Sequence, residues 1–259
     1  MNTIRANGID IRYDIAADGP WLLLAHSLAT DLTLWDDQMP MLTRRFKVMR
    51  FDLRGHGGSS APDIPYDFGM LTADVLGLMD ALGIERCSFM GISLGGMISQ
   101  CLALAAPERI DRLVLVSTTS AYPPAAKAIW AERIAAVRAS GMEPLVAPTL
   151  ERWFTPPYRE AHPNVMARIG NLVRTTPATG YIGCGHAIPT LDITARLREI
   201  RCPTLVIAGS EDAGTPPAMG KTIADQVPGA RFELIPSASH LCNVERANVF
   251  NGLLAEYLS

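Results

Sequence analysis

The stretch Cys87-Ser88-Phe89-Met90-Gly91-Ile92-Ser93-Leu94-Gly95-Gly96-Met97 decides how the rest of the chain is read. Cys87 to Met90 has the apolar character of a buried strand, and Met97 to Ala106 that of an apolar helix. Gly-x-Ser-x-Gly joins the two. A serine between a strand end and a helix start must sit in a sharp turn, and small residues two positions away on each side let the backbones pass. The turn lifts the Ser93 hydroxyl off the sheet and aims the helix N-terminus, with its positive dipole end, at the reacting group. The competing reading is a glycine-rich loop whose serine only caps the helix.

Outward from that stretch, strand-like and helix-like segments alternate. Thr3 to Ala16 holds two strand-like halves around Asn7-Gly8, a pair suited to a tight hairpin. Trp21 to Ala25 is a continuous apolar run, as in a central parallel strand covered on both faces, and it ends in His26-Ser27-Leu28-Ala29-Thr30-Asp31. Leu34 to Arg44 is expected to be helical, with a bend or restart at Pro40. Phe46 to Phe51 is the next strand, followed by the glycine-dense Asp52-Leu53-Arg54-Gly55-His56-Gly57-Gly58-Ser59-Ser60. Loops of this kind after a strand lie where open α/β sheets place their active sites. Gly69 to Leu82 carries apolar residues at helical spacing, and Arg112 to Ser117 reads as a further buried strand. The alternation predicts an α/β fold with a mostly parallel sheet flanked by helices and right-handed crossovers.

From Ser120 to about Pro189 the alternation stops, and helical segments are broken by Pro123-Pro124, Pro144, Pro148, Pro156-Pro157, Pro163 and Pro177. About seventy residues is long for one connection, so 120–189 is expected to be a helical lid inserted between two strands. The core would then comprise 1–119 and 190–259. The plainer alternative is a set of ordinary crossover helices. Beyond the insertion come a strand at Pro203 to Ala208, a helix at Pro217 to Gln226, a strand at Phe232 to Ile235 and a closing amphipathic helix over Val244 to Tyr257.

Three reactive side chains fall at the ends of three predicted strands, in the order Ser93, Asp212, His240. Parallel strands present their C-terminal ends along one edge, so residues distant in sequence meet there. A serine hydroxyl is a weak nucleophile near neutral pH and needs an imidazole to take its proton, while a carboxylate orients the ring and stabilises the imidazolium. Judged alone, Asp212 is also a candidate helix cap and His240 a polar loop residue. Glu211 competes with Asp212, but neighbouring side chains diverge and Asp212 is preferred. A tetrahedral intermediate needs two main-chain donors, and the Leu94 N–H and the Leu28 N–H are placed to supply them.

The bulk composition narrows the function classes. The chain has 259 residues, 48% of them apolar and 19% charged, with a net charge of −3. That balance, without any basic cluster, argues against a nucleic-acid partner. No signal-peptide pattern and no bilayer-length apolar run are present, so a cytoplasmic location without membrane association is expected. The five cysteines contain no Cys-x-x-Cys pair and are expected to be reduced, and Cys242 is not favoured as a nucleophile although it lies two residues from His240. The five histidines have no metal-ligand spacing, so no metal is expected, and no cofactor either. A small molecule is the expected partner; oligomeric state is left open.

Gly-Ile-Ser-Leu-Gly-Gly-Met at 91–97, Asp-Leu-Arg-Gly-His-Gly-Gly-Ser at 52–59 and Gly-Ser-Glu-Asp at 209–212 resemble the α/β-hydrolase superfamily, over essentially the whole chain. Within it, His-Ser-Leu-Ala-Thr-Asp at 26–31 and Ser-His-Leu-Cys-Asn-Val-Glu-Arg-Ala at 239–247 resemble the 3-oxoadipate enol-lactonases of the β-ketoadipate route of aromatic catabolism. His26 departs from that pattern, which has asparagine there; it is read as a structural loop residue, as are Arg54 and His56. The resemblance implies a serine hydrolase that opens a lactone carrying a free carboxylate. Such a pocket needs a cation or several donors, and the lid offers Arg133, Arg138, Arg152, Arg168, Arg174 and His186. Trp130 and Trp153 would either wall the pocket or pack the lid helices. A general carboxylesterase, a C–C bond hydrolase of ring-cleavage products and, from outside enzymes, a small-molecule receptor are the competing functions.

Overall fold

Every strand-like segment singled out above is a strand of one eight-stranded sheet in the computed structural model, which describes residues 1–259. In chain order the strands are β1 (Asn2–Ala6), β2 (Ile9–Ala16), β3 (Trp21–Ala25), β4 (Lys47–Phe51), β5 (Cys87–Ile92), β6 (Ile110–Val116), β7 (Thr204–Gly209) and β8 (Arg231–Ile235). Their spatial order is β1-β2-β4-β3-β5-β6-β7-β8. Only the β1–β2 and β2–β4 pairings are antiparallel. The β1–β2 hairpin turns on Asn7 and Gly8, at φ 43° and 76°, the left-handed pair that the strand twist favours. The interior strands β5 and β7 are buried at every position, consistent with helices on both faces.

Helix Phe68–Ala81 starts where the Asp67 carboxylate accepts the Met70 N–H at 2.7 Å. Helix Leu94–Ala105 begins immediately after Ser93, three residues before the apolar run that announced it. Between β6 and β7 the chain runs through helices Ala126–Ser140, Val146–Trp153, Pro156–Ala161, Pro163–Thr175 and Ala178–Ala187, with no strand. An isolated antiparallel bridge, Ala121 to Asp192, brings the two ends of this segment together. No helix is long and apolar enough to cross a membrane.

Two helical expectations are corrected. The segment expected to be helical over Leu34 to Arg44 is two short turns, Leu32–Trp35 and Met39–Leu42, and Pro40 sits in the first turn of the second, where its missing N–H is harmless. The closing helix is also split, into Cys242–Glu245 and Ala247–Tyr257, at Arg246 (φ −128°, ψ 47°). Asn243 and Glu245 are polar yet buried. The first turn therefore faces inward all round, and the chain must change direction before an amphipathic helix begins.

Candidate active site

Parallel pairing from β4 through β8 aligns the C-terminal ends of β3, β5, β7 and β8 on one edge. Ser93 follows β5 with φ 55° and ψ −114°, a conformation costly for a residue with a Cβ. Its N–H donates to Val116 O at 2.9 Å and its carbonyl accepts the Thr118 hydroxyl at 2.8 Å, so β6 holds the strained turn from the side. The flanking glycines are required by close approach. A Cβ on Gly91 would lie 2.3 Å from Gly95 O, and one on Gly95 would lie 2.3 Å from Ala25 O. Ser93 makes no side-chain cap bond to its helix, which counts against the capping reading.

Asp212 and His240 are held together after β7 and β8. The His240 Nδ1 to Asp212 Oδ2 distance is 2.8 Å, and both side chains are buried. Asp212 Oδ1 also accepts the Gly214 and Thr215 N–H groups at 2.8 and 2.9 Å, and Oδ2 accepts the Thr215 hydroxyl at 2.8 Å. Burial alone would raise the Asp212 pKa, but the neighbouring His240 and these bonds outweigh it and hold the carboxyl below its ordinary value. With the carboxylate fixing Nδ1, the other ring nitrogen is left for the cavity. Glu211, the rival carboxylate, points into solvent. The Trp153 ring lies nearly parallel to the His240 imidazole, 6.2 Å away at 22°. Ser93 and His240 line one cavity of about 340 Å³; no hydrogen bond joins them in this state, and such bonds commonly tighten only around substrate.

The loop after β3 is organised by two buried imidazoles. His56 Nε2 accepts the Ala29 N–H at 3.0 Å, and His26 Nε2 accepts the Leu53 N–H at 3.0 Å. Burial lowers both pKa values, that of His56 to about 3, so both rings are neutral acceptors at physiological pH. The Gly95 N–H is taken by His26 O at 3.2 Å. These contacts occupy the N–H groups of Ala29 and Gly95 and leave those of their neighbours. The Leu28 N–H has no protein acceptor, and Leu94, as first residue of its helix, has none within the helix. Leu28 and Ser93 line the same cavity. Arg54 is a loop organiser too, donating from Nε to Asp74 at 2.7 Å.

Of the candidate side chains named in the 120–189 segment, Trp130, Arg133, Arg152 and Trp153 line the cavity. The two tryptophans do both things expected of them, since each is also buried among the helices. His186 is a correction. It lies with Arg138 and Lys127 in a separate cleft on the far side of Trp130. Helix Ala178–Ala187 turns Tyr181 toward the cavity, and five residues further on a helix faces another way. Arg174 is engaged by Glu143 at the surface. The cations that do reach the cavity, Arg133 and Arg152, have no acidic partner. Arg133 lies over the Trp130 ring at 4.9 Å, and Arg152 donates only to Thr149 Oγ1, at 3.1 Å. Burial, and then repulsion from Arg133, lowers the Arg152 pKa; a guanidinium stays charged at neutral pH even so. Cys242 is no nucleophile in this setting: burial pushes its thiol up to about 12.

A family model described as the alpha/beta hydrolase fold matches residues 20–247. The chain belongs to the α/β-hydrolase family. As a member it is a hydrolase, and its relatives resemble it over nearly their whole length. A 3-oxoadipate enol-lactonase of Acinetobacter baylyi is 35% identical over 252 residues, covering 96% of this chain and 93% of the relative. The crystal structure of the enol-lactonase from Burkholderia xenovorans superimposes with a TM-score of 0.95 at 38% identity, covering 99% of each chain. The RutD protein of Pseudomonas savastanoi, for which carbamate hydrolysis is proposed, is 30% identical over 94% of this chain and 95% of its own.

Proposed function

We propose that this hydrolase opens the ring ester of 3-oxoadipate enol-lactone to 3-oxoadipate, through an acyl-enzyme on Ser93. The observation that carries the reading is the pair of unpartnered guanidiniums, Arg133 and Arg152, in an otherwise largely apolar cavity that also exposes Ser93 and His240. Two half-buried cations without a carboxylate of their own repel each other and lose hydration, an arrangement that an anionic substrate relieves. A cavity of about 340 Å³ sits at the small end of ligand pockets and suits a single-ring acid. The identities of 35% and 38% to two enol-lactonases support the same substrate.

In this mechanism Ser93 Oγ attacks the lactone carbonyl while His240 Nε2 takes its proton. Asp212 holds the ring in the tautomer with its proton on Nδ1 and stabilises the imidazolium. The Leu28 and Leu94 N–H groups hold the tetrahedral oxyanion, where each such donor is worth about two to three orders of magnitude in rate. Collapse expels an enolate, a better leaving group than an alkoxide, which takes up a proton and tautomerises to the ketone. Water, deprotonated by His240, then attacks the acyl-enzyme and releases the diacid. Residues 120–189 act as a cap that closes the cavity over the 1–119 and 190–259 core and brings Arg133, Arg152, Trp130 and Trp153 to the substrate.

The test compares kcat/KM for generated enol-lactone with that for p-nitrophenyl acetate, in wild type, Arg152→Met and Arg133→Met. Enol-lactone should be preferred in wild type. Each arginine variant should lose about 2 kcal/mol, or roughly 30-fold, on the enol-lactone and little on the neutral ester. Equal constants for the two substrates in wild type would leave a general carboxylesterase. The RutD relative makes a small carbamate the second substrate to assay.

A further inference from the structure

Glu245 is a buried carboxylate, 4% exposed, that lies outside the reacting groups. Its donors are two main-chain N–H groups and one hydroxyl, with no cation among them. Oε1 accepts the Thr155 N–H at 3.0 Å together with the Thr155 hydroxyl, and Oε2 accepts the Ser239 N–H at 2.7 Å. Burying a polar side chain costs desolvation that its hydrogen bonds have to offset, so what those bonds join is the informative point. Ser239 immediately precedes His240, and Thr155 is two residues after Trp153 and three after Arg152.

The same two segments are joined at neighbouring positions. The Ser239 hydroxyl donates to Arg152 O at 2.9 Å, the Leu241 N–H donates to Trp153 O at 3.2 Å, and the Trp153 ring stacks beside the His240 imidazole. From these contacts we propose that Glu245 is a positioning residue that locks the Arg152–Thr155 segment to the His240 loop. It thereby sets the imidazole and the substrate-binding guanidinium in register with one another. This rests on His240 as the base and Arg152 as the anion-binding group.

The isosteric change Glu245→Gln is the sharp probe. A carboxylate satisfies donors at both oxygens, whereas an amide has one acceptor end. Whichever way the amide turns, its NH2 faces a main-chain N–H, either that of Ser239 or that of Thr155. One side of the clamp is therefore broken in a side chain of unchanged size. Steady-state constants are measured for p-nitrophenyl acetate and for enol-lactone at 25 °C, beside thermal melting.

Glu245→Gln should lower kcat on both substrates by about 10- to 100-fold, the scale of an ångström-sized displacement of a catalytic group, and raise KM for the enol-lactone alone. Thr155→Val, which removes the hydroxyl and keeps the N–H, should show the same split more weakly, and Thr155→Ser should restore wild-type constants. A lowered melting temperature with wild-type kcat and KM in Glu245→Gln and Thr155→Val would overturn the clamp and leave a structural role. Should Glu245→Gln fail to fold, the Thr155 pair decides the question alone. His240→Ala separates the underlying reading. If it keeps wild-type activity, the base assignment is wrong; if it is inactive while the Glu245 and Thr155 variants are normal, only the clamp is wrong.

Discussion

Replacing Asp212 by asparagine should preserve the fold and remove most turnover, because the site dictates which way the amide must face. The carboxylate takes the Gly214 and Thr215 N–H groups on Oδ1, and the Thr215 hydroxyl and His240 Nδ1 on Oδ2. With the amide oxygen in the Oδ1 place, both main-chain donors stay satisfied and the NH2 meets the Thr215 hydroxyl, which accepts as readily as it donates. The opposite orientation leaves the buried Thr215 N–H without an acceptor, at about 1–3 kcal/mol, and also breaks the Gly214 bond, whose N–H water can reach. The first orientation therefore prevails, and the amide donates to His240 Nδ1. The ring is then confined to the tautomer with its proton on Nε2, which has no lone pair for the Ser93 proton. The equivalent change in the serine-protease template costs about 10⁴-fold in kcat, or ~5.5 kcal/mol, and a loss of about 10³- to 10⁴-fold is expected here. Initial rates on p-nitrophenyl acetate at pH 8 measure it, with circular dichroism and thermal melting as checks on the fold. Glu211→Gln, on the solvent-facing neighbour, should keep the wild-type rate. An Asp212→Asn protein that melts normally and retains more than about a tenth of wild-type kcat would refute the tautomer argument.

Two further outcomes concern stability. Burial holds the native His56 pKa down to about 3 against an ordinary value near 6.5. Between those values the unfolded chain binds a proton that the native ring refuses, so stability is whole above pH ~6.5 and falls as the pH drops. Urea titrations at pH 6.5 and 4.5 should differ by about 2–3 kcal/mol more in wild type than in His56→Gln; an identical pH dependence in the two proteins would show that His56 is not refused its proton. Gly95→Ala places a methyl 2.3 Å from Ala25 O. It should cost about 1–3 kcal/mol or more in stability and displace the Leu94 N–H, lowering kcat as well. An unchanged melting temperature and rate would contradict the close approach.

What the sequence determined alone is whatever rests on local pattern. The buried strands announce themselves because a strand covered on both faces has to be apolar at every position, as Leu22, Leu23 and Leu24 are. The Ser93 turn is legible because a hydroxyl can be lifted off a sheet edge in that way only where Gly91 and Gly95 let backbone atoms come within contact distance. Asp212 and His240 follow from counting strand ends, since a parallel sheet aligns those ends whatever lies between. The break at Arg246 was not legible, because it comes from which way Asn243 and Glu245 face and not from their helix propensity.

Only the tertiary structure chose among the cations of the 120–189 segment. Arg133, Arg138, Arg152 and His186 are alike as polar residues on helices of one segment, and their separation depends on how each helix is rotated about its axis. Packing of Trp130, Tyr181 and Trp153 sets that rotation, turning Arg133 and Arg152 inward and leaving His186 on the far side of Trp130. The role proposed for Glu245 was hidden for the same reason. Its donors come from residues 155 and 239, ninety and six positions away, and no local pattern records which distant main-chain groups a buried carboxylate will meet.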